Sequence, residues 1–339
     1  MIDHLGSLVE QSLVTVDPDG GEEGTRYGML EPVRQYTREK LVEGREEEET
    51  RRRHAAYYLA MAERAGVELW GPGQGGWLER LQRENGNLRA ALARALDART
   101  ETVGRLCWSL WLFRWARGHH WEGRRWSEAA LGRELPSAWR ARVLPVAAAM
   151  LYAANDLDPA EERWDEGLSV SREEGDALGE GYSRSGLGLA RLSRGDHKAA
   201  ARRFAEALPL LEECGDPLSS LARVWLGTTS LLDGDAARAE REIGEGLASA
   251  RSRGDTLCTY VALYNLAQLA ISRGDLALAA GTLEEGVGLS VKERAPSEAR
   301  ASLGDAAFEK LREQGRTMTF EEAVRLGAGA PADGAAEAL

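Results

Sequence analysis

The sequence is poor in cysteine and lysine and has no phosphate-loop chemistry, and each shortage removes a class of protein. Three cysteines (Cys107, Cys214, Cys258) stand far apart among 339 residues, with no CxxC pair. That excludes a disulfide framework and fits a reduced, cytoplasmic setting. No Gly-Lys dipeptide occurs, so the pattern GxxxxGK[ST] that cradles nucleotide phosphates is absent. Lysine is confined to Lys40, Lys198, Lys292 and Lys310; the other basic residues are arginine, a bias that reflects GC-rich coding rather than phosphate binding. The formal net charge of −12 sets electrostatics against a DNA duplex as direct partner. The longest apolar run, VLPVAAAMLYAA at 143–154, holds Pro145 and is too short to span a bilayer. The opening MIDHLGSLVEQSL has neither the basic nor the long apolar region of a secretory signal. A soluble, cytoplasmic protein with no membrane partner is expected.

Catalytic signatures are missing too. There is no GxSxG and no HExxH, and the adjacent His119 and His120 have no third ligand at helical spacing. No metal or cofactor is expected, and the chain is expected not to be an enzyme.

What is present is helical and periodic. Only 6% of residues are aromatic, while Ala, Leu, Arg and Glu abound, a mix that favours helices. Gly-Asp recurs at Gly175, Gly195, Gly215, Gly234, Gly254 and Gly274, at spacings of 20, 20, 19, 20 and 20 residues. Three of these stand in SRGD, at 193–196, 252–255 and 272–275. The dipeptide suits a helix–helix junction: Gly takes the left-handed conformation that closes one helix, and Asp caps the next. An arginine just before the turn complements the helix dipole.

Alternate junctions differ, so the unit is two helices. After Asp156, Asp196, Asp235 and Asp275 come Ala160/Trp164/Gly167/Leu168, Ala200/Phe204/Ala207/Leu208, Ala239/Ile243/Gly246/Leu247 and Ala279/Leu283/Gly286/Val287. Steps of four, seven and eight place each set on one helix face. The preceding helices repeat Leu187-Gly188 and Leu226-Gly227, with Leu266-Ala267 in the equivalent place. This alternation of small and large positions resembles the tetratricopeptide repeat, although the unit of about 40 residues exceeds the usual one of roughly 34. The resemblance implies an all-α, right-handed solenoid of helical hairpins. Four units are clear between Ala138 and Val291, a degenerate one precedes them at 102–134, and Thr319-Phe320-Glu321-Glu322 reads as the capping box of a partial one.

The ends differ. LGSLVEQSLVTV, the loop DPDGGEEG, TRYGM and LEPVRQYTREKLVEG predict helix, hairpin and helix, similar to the last part of a winged-helix domain. Together with RRRHAAYYLAMAERA and WLERLQRENGNLRAALARAL, this series resembles the region after the ATPase module in bacterial LuxR- and AfsR-type signal-transduction ATPases that regulate transcription. The resemblance is strongest at 26–41 and 77–96. It implies a partial winged-helix segment at 1–44, connecting helices at 45–100, a repeat domain at 101–326 and a flexible tail at 327–339. It also implies that ATPase and DNA-binding modules reside on a missing or neighbouring segment, because this chain carries neither motif.

Three stretches are candidates for binding. GPGQGG at 71–76 formally matches GxGxxG but follows a helical segment and contains Pro72, so a linker turn is expected. Trp108, Trp111 and Trp115 share one helix face with Arg114 close by. They form either an aromatic, cationic pocket for an anionic ligand or nucleotide, or packing of the first hairpin. On the first helix of each unit, Arg142, Tyr152, Arg184, Arg223, Trp225, Tyr264, Asn265 and Gln268 fall on the expected concave face, as partner contacts or as solvated groove residues. The expected function is a sensor or interaction arm that takes a protein or peptide partner, or a small-molecule effector. The alternatives are a free-standing scaffold and, more weakly, an enzyme with a site near the tryptophans.

Overall fold

A computed structural model describes residues 2–17, 26–98 and 101–294. Among them are fifteen helices and one two-stranded hairpin. The chain divides into two compact units, Met1–Tyr58 and Leu59–Leu339. The first holds α1 (Ile2–Glu10), antiparallel β1 (Thr15–Asp17) and β2 (Arg26–Gly28), α2 (Glu31–Glu43) and the start of α3 (Glu47–Glu68). Thr15 stands opposite Gly28, and Val14 is buried beside the hairpin. Pro32 sits in the first turn of α2, where its missing N–H leaves no bond unmade.

The second unit is an all-α solenoid of tetratricopeptide-like hairpins. After α4 (Gln74–Arg83) and α5 (Asn85–Asp97), the helices run in pairs. The pairs are α6 (Thr102–Ala116) with α7 (His120–Leu131), α8 (Ser137–Ala153) with α9 (Leu157–Glu174), and α10 (Ala177–Ser193) with α11 (His197–Glu213). They continue with α12 (Leu218–Leu232) and α13 (Ala236–Arg253), then α14 (Thr256–Ser272) and α15 (Leu276–Arg294). The division at Tyr58 differs from expected boundaries at 44 and 100. Its physical reason is apolar: Leu78, Leu81, Leu88 and Leu92 are buried, and α4 and α5 pack on α6. The capping box at 319–322 and the tail at 327–339 lie outside the described residues.

The twenty-residue punctuation is a row of left-handed turns. Gly175, Gly195, Gly215, Gly234, Gly254 and Gly274 all have positive φ, and Asn155 (φ 61°) supplies the same conformation one period earlier. Asp196, Asp235, Asp255 and Asp275 accept from the backbone N–H three residues on, each at 3.0 Å. Asp176 departs from the expected cap. Its carboxylate is taken by the Arg142 guanidinium, which donates from two nitrogens, one at 2.6 Å.

The SRGD arginines do more than complement a dipole. Each reaches back to the start of the preceding antiparallel helix. Arg194 pairs with Asp158 and, at 3.0 Å, with Glu161. Arg253 donates to Ser220 Oγ at 2.6 Å and the Pro217 carbonyl at 3.3 Å. Arg273 donates to Glu240 at 2.8 Å and the Ala236 carbonyl at 3.2 Å.

Between helices, small residues admit large neighbours. A Cβ on Gly188 would lie 2.6 Å from the Phe204 ring, and one on Gly227 the same distance from Ile243. Phe204, Ile243, Trp164 and the alanines of each set are buried, as the spacing predicts. On α15 the match weakens: Ala279 is buried but Val287 is 54% exposed.

Candidate ligand cavity on the first helices

One cavity of about 270 Å³ opens on the first helices of the hairpins. Trp111, Leu112 and Trp115 enter from α6, and Pro145, Val146, Ala149 and Tyr152 from α8. Tyr182, Ser185, Gly186 and Leu189 enter from α10, Leu218, Leu221 and Trp225 from α12, and Leu257 and Val261 from α14. Trp164 of α9 completes the wall. Packed helices sit about 8–10 Å apart, so five in a flat row would separate α6 from α14 by about 30–40 Å. Both line one small cavity. The row of first helices therefore coils around it, and this face of the solenoid is concave.

The coil is closed by the turn at Gly71–Gly73, ahead of α4. Pro72 packs on Gly254, where a Cβ would meet its ring at 3.0 Å. Gly71 lies beside the Arg253 carbonyl, and Trp70 packs on Trp111 at 5.9 Å between ring centroids. The first half of GPGQGG is thus a turn, its second half opens α4, and the turn is also a clasp onto the fourth hairpin-to-hairpin junction of the chain's second unit. Here lies the one SRGD whose aspartate, Asp255, is fully buried.

The cavity walls are held by one another. Trp115 and Tyr152 lie nearly parallel, 9° apart with centroids at 6.3 Å, and Tyr152 packs on Trp164 at 5.7 Å. Tyr152 shares a 2.9 Å hydrogen bond with Ser193 Oγ. Trp164 is 2% exposed and rests on Gly186, where a Cβ would come within 2.0 Å of the indole. Tyr182 meets Trp111 edge-on at 5.8 Å and donates to Asp216 at 3.2 Å. Burial, with the Asp216 charge second, pushes the Tyr182 phenol well above its ordinary value, so it stays neutral. Burial also raises the Asp216 carboxyl, against the pull of its hydrogen bonds from Leu218 N–H and Tyr182. Ser185 is 2% exposed, and its Oγ has no hydrogen-bond partner among the described residues.

The expected site residues divide sharply. Trp111, Trp115, Tyr152 and Trp225 meet at this cavity, joining two candidate sets that stood apart in the sequence. Trp108 does not line it: Tyr182 packs on it at 4.7 Å and Arg142 covers it at 5.0 Å. Arg114 turns inward instead. It is 2% exposed and pairs at 2.9 Å with Glu122, which Arg89 also holds at 2.6 Å. Burial pushes the Glu122 carboxyl up, but the two guanidiniums outweigh it and hold it at about 2. Among the described residues lining the cavity none is charged, which corrects the expectation of a cationic pocket for an anion.

The other arginines of the row are engaged by carboxylates of the chain itself. Arg184 pairs with Glu180 at 2.6 Å and with Glu206, and Arg223 with Glu245 at 2.7 Å, Glu242 at 3.2 Å and Glu212. Asn265 is buried, donates to the Val261 carbonyl at 2.8 Å and accepts from Thr228 at 2.9 Å. Tyr264 is 48% exposed and Gln268 half-buried, and neither lines the cavity. Sequence reasoning missed Trp164 and Tyr182 as walls. The spacing makes Trp164 the large residue of a second helix, and its contact with Gly186 of the next hairpin has no signature beyond the glycine. Among the described residues no cluster of His, Cys, Asp or Glu could hold a metal ion, and no helix is long and apolar enough to cross a membrane.

Comparison with known proteins finds similarity to part of longer proteins and to solved helical-repeat structures. No protein-family model matches the chain. Proteins named "Putative HTH-type transcriptional regulator" from Mycobacterium bovis and Mycobacterium tuberculosis are 31% identical over 262 residues, 71% of this chain. The chain spans 28% of their length. Among solved structures, a Rap protein complexed with competence and sporulation factor superposes with a TM-score of 0.55 at 17% identity, over 79% of this chain and 74% of that one. A signal-transduction ATPase with a tetratricopeptide repeat sensor from Pyrococcus horikoshii gives 0.50 at 16% identity, over 86% and 46%. At such identities these two likenesses concern the fold alone.

Proposed function

We propose that this chain is the non-catalytic sensor arm of a bacterial transcription regulator of the signal-transduction ATPase type, and that an effector bound in the concave cavity sets its state. The observation that carries this is the cavity itself, built by five successive first helices and lined by six aromatic side chains. Similarity to 28% of the length of longer regulators supports an arm that works alongside other modules. An occupant touching helices α6 to α14 at once stabilises one curvature of the row, and so shifts the regulator's population toward it. Capture of a protein or peptide partner is the second form of the same reading, supported by the similar fold of a Rap protein complexed with competence and sporulation factor. The test is deletion, from the Mycobacterium tuberculosis relative, of the region matching this chain. Loss of regulated output from a DNA reporter is expected, and unchanged output with a normally expressed protein overturns the proposal.

A further inference from the structure

The geometry points to a ligand of one chemical class: an uncharged, planar, fused-ring aromatic molecule. This rests on the effector-site proposal above. Three observations carry it. First, the cavity has no charged residue among its described walls, and the arginines nearest in sequence are bound by carboxylates elsewhere. Burying an unpaired charge there would go uncompensated, so anions and cations are both disfavoured. Second, the walls combine Trp111, Trp115, Tyr152, Trp164, Tyr182 and Trp225 with aliphatic side chains such as Leu189 and Leu221. An ammonium cage needs ring faces turned to the cation, whereas Trp115 stacks on Tyr152 and Tyr152 packs on Trp164 here. A sugar would need many more polar partners than these walls supply. An apolar ring system uses both the aromatic and the aliphatic surface.

Third, size bounds the occupant. An apolar protein cavity of about 150 Å³ takes one benzene ring. The 270 Å³ found here leaves room for two fused rings. Ser185 lines the cavity, but its Oγ is buried away from that space and offers a ligand no polar contact.

Equilibrium dialysis of the full chain against 2-naphthol, 2-naphthoate and 2-naphthyltrimethylammonium tests this, since the three share a ring system and differ in charge. The expected result is saturable 1:1 binding of 2-naphthol, with both charged analogues weaker by at least about tenfold. Ala149→Phe, which fills the cavity, is expected to abolish that binding with the melting temperature held. Should that variant fail to fold, Leu189→Trp serves the same purpose. Equal or tighter binding of either charged analogue overturns the inference, as does absence of 2-naphthol binding up to its solubility limit or binding that Ala149→Phe leaves intact. The reporter deletion reads the regulatory role whatever the ligand, and this charge series reads the ligand whatever the role, so the two proposals fail separately.

Discussion

At the scale of single residues, buried partners decide more than exposed ones. Glu122 is held at about 2, below its ordinary 4.5, by Arg89 and Arg114. A carboxyl lowered in the folded state contributes stability that is complete above its unfolded value and lost as pH falls through the folded one. Denaturation midpoints should therefore drop as pH goes from 4.5 to 2, and this drop should shrink in Glu122→Gln. The same variant leaves the Arg114 charge, 2% exposed, without its counter-ion. We expect it to cost about 3 kcal/mol at neutral pH by urea titration. Gly186→Ala tests a different constraint. Its added methyl lies 2.0 Å from the Trp164 indole, so the cavity wall must move, with a cost of about 1–3 kcal/mol and a shift in tryptophan emission. Unchanged emission and stability would show that the indole yields freely.

At the scale of elements, the repeat is punctuated by turns and stapled by arginines. Asp196→Ala and Asp275→Ala each remove a cap at 3.0 Å and should each destabilise the fold by about 1 kcal/mol, measured by thermal melting. Glycines of equal conformation should differ by location. Gly254→Ala and Gly274→Ala share the strain of positive φ, about 1 kcal/mol or more. Only Gly254 faces Pro72 at 3.0 Å, whereas nothing lies within 4 Å of a Cβ on Gly274. Gly254→Ala is thus expected to be the more destabilising, and equal costs would remove the clasp. The turns, the pairing of helices and the buried faces of α9, α11 and α13 were legible in the sequence, because Gly-Asp at a twenty-residue period fixes register. The arginine staples were not, because they join residues 33–37 apart whose only local signature is charge.

At the scale of the whole solenoid, curvature escapes sequence reasoning because it accumulates from small rotations between neighbours. Trp111, Trp115, Tyr152 and Trp225 were legible as aromatic positions on first helices. That they surround one cavity depends on how far the row coils, and no single repeat encodes that. Arg114 shows the converse: its place beside the tryptophans suggested a cationic pocket, yet Glu122 and Arg89 draw it into the core. The coil that joins α6 to α14 around an uncharged aromatic cavity is the feature on which the proposed function depends. Hydrogen–deuterium exchange of the full chain with and without 2-naphthol tests it most directly. Slowed exchange is predicted together in α6, α8, α10, α12 and α14, with α11, α13 and α15 unchanged. Protection confined to one hairpin, or spread over the second helices instead, would contradict a cavity shared by the whole row.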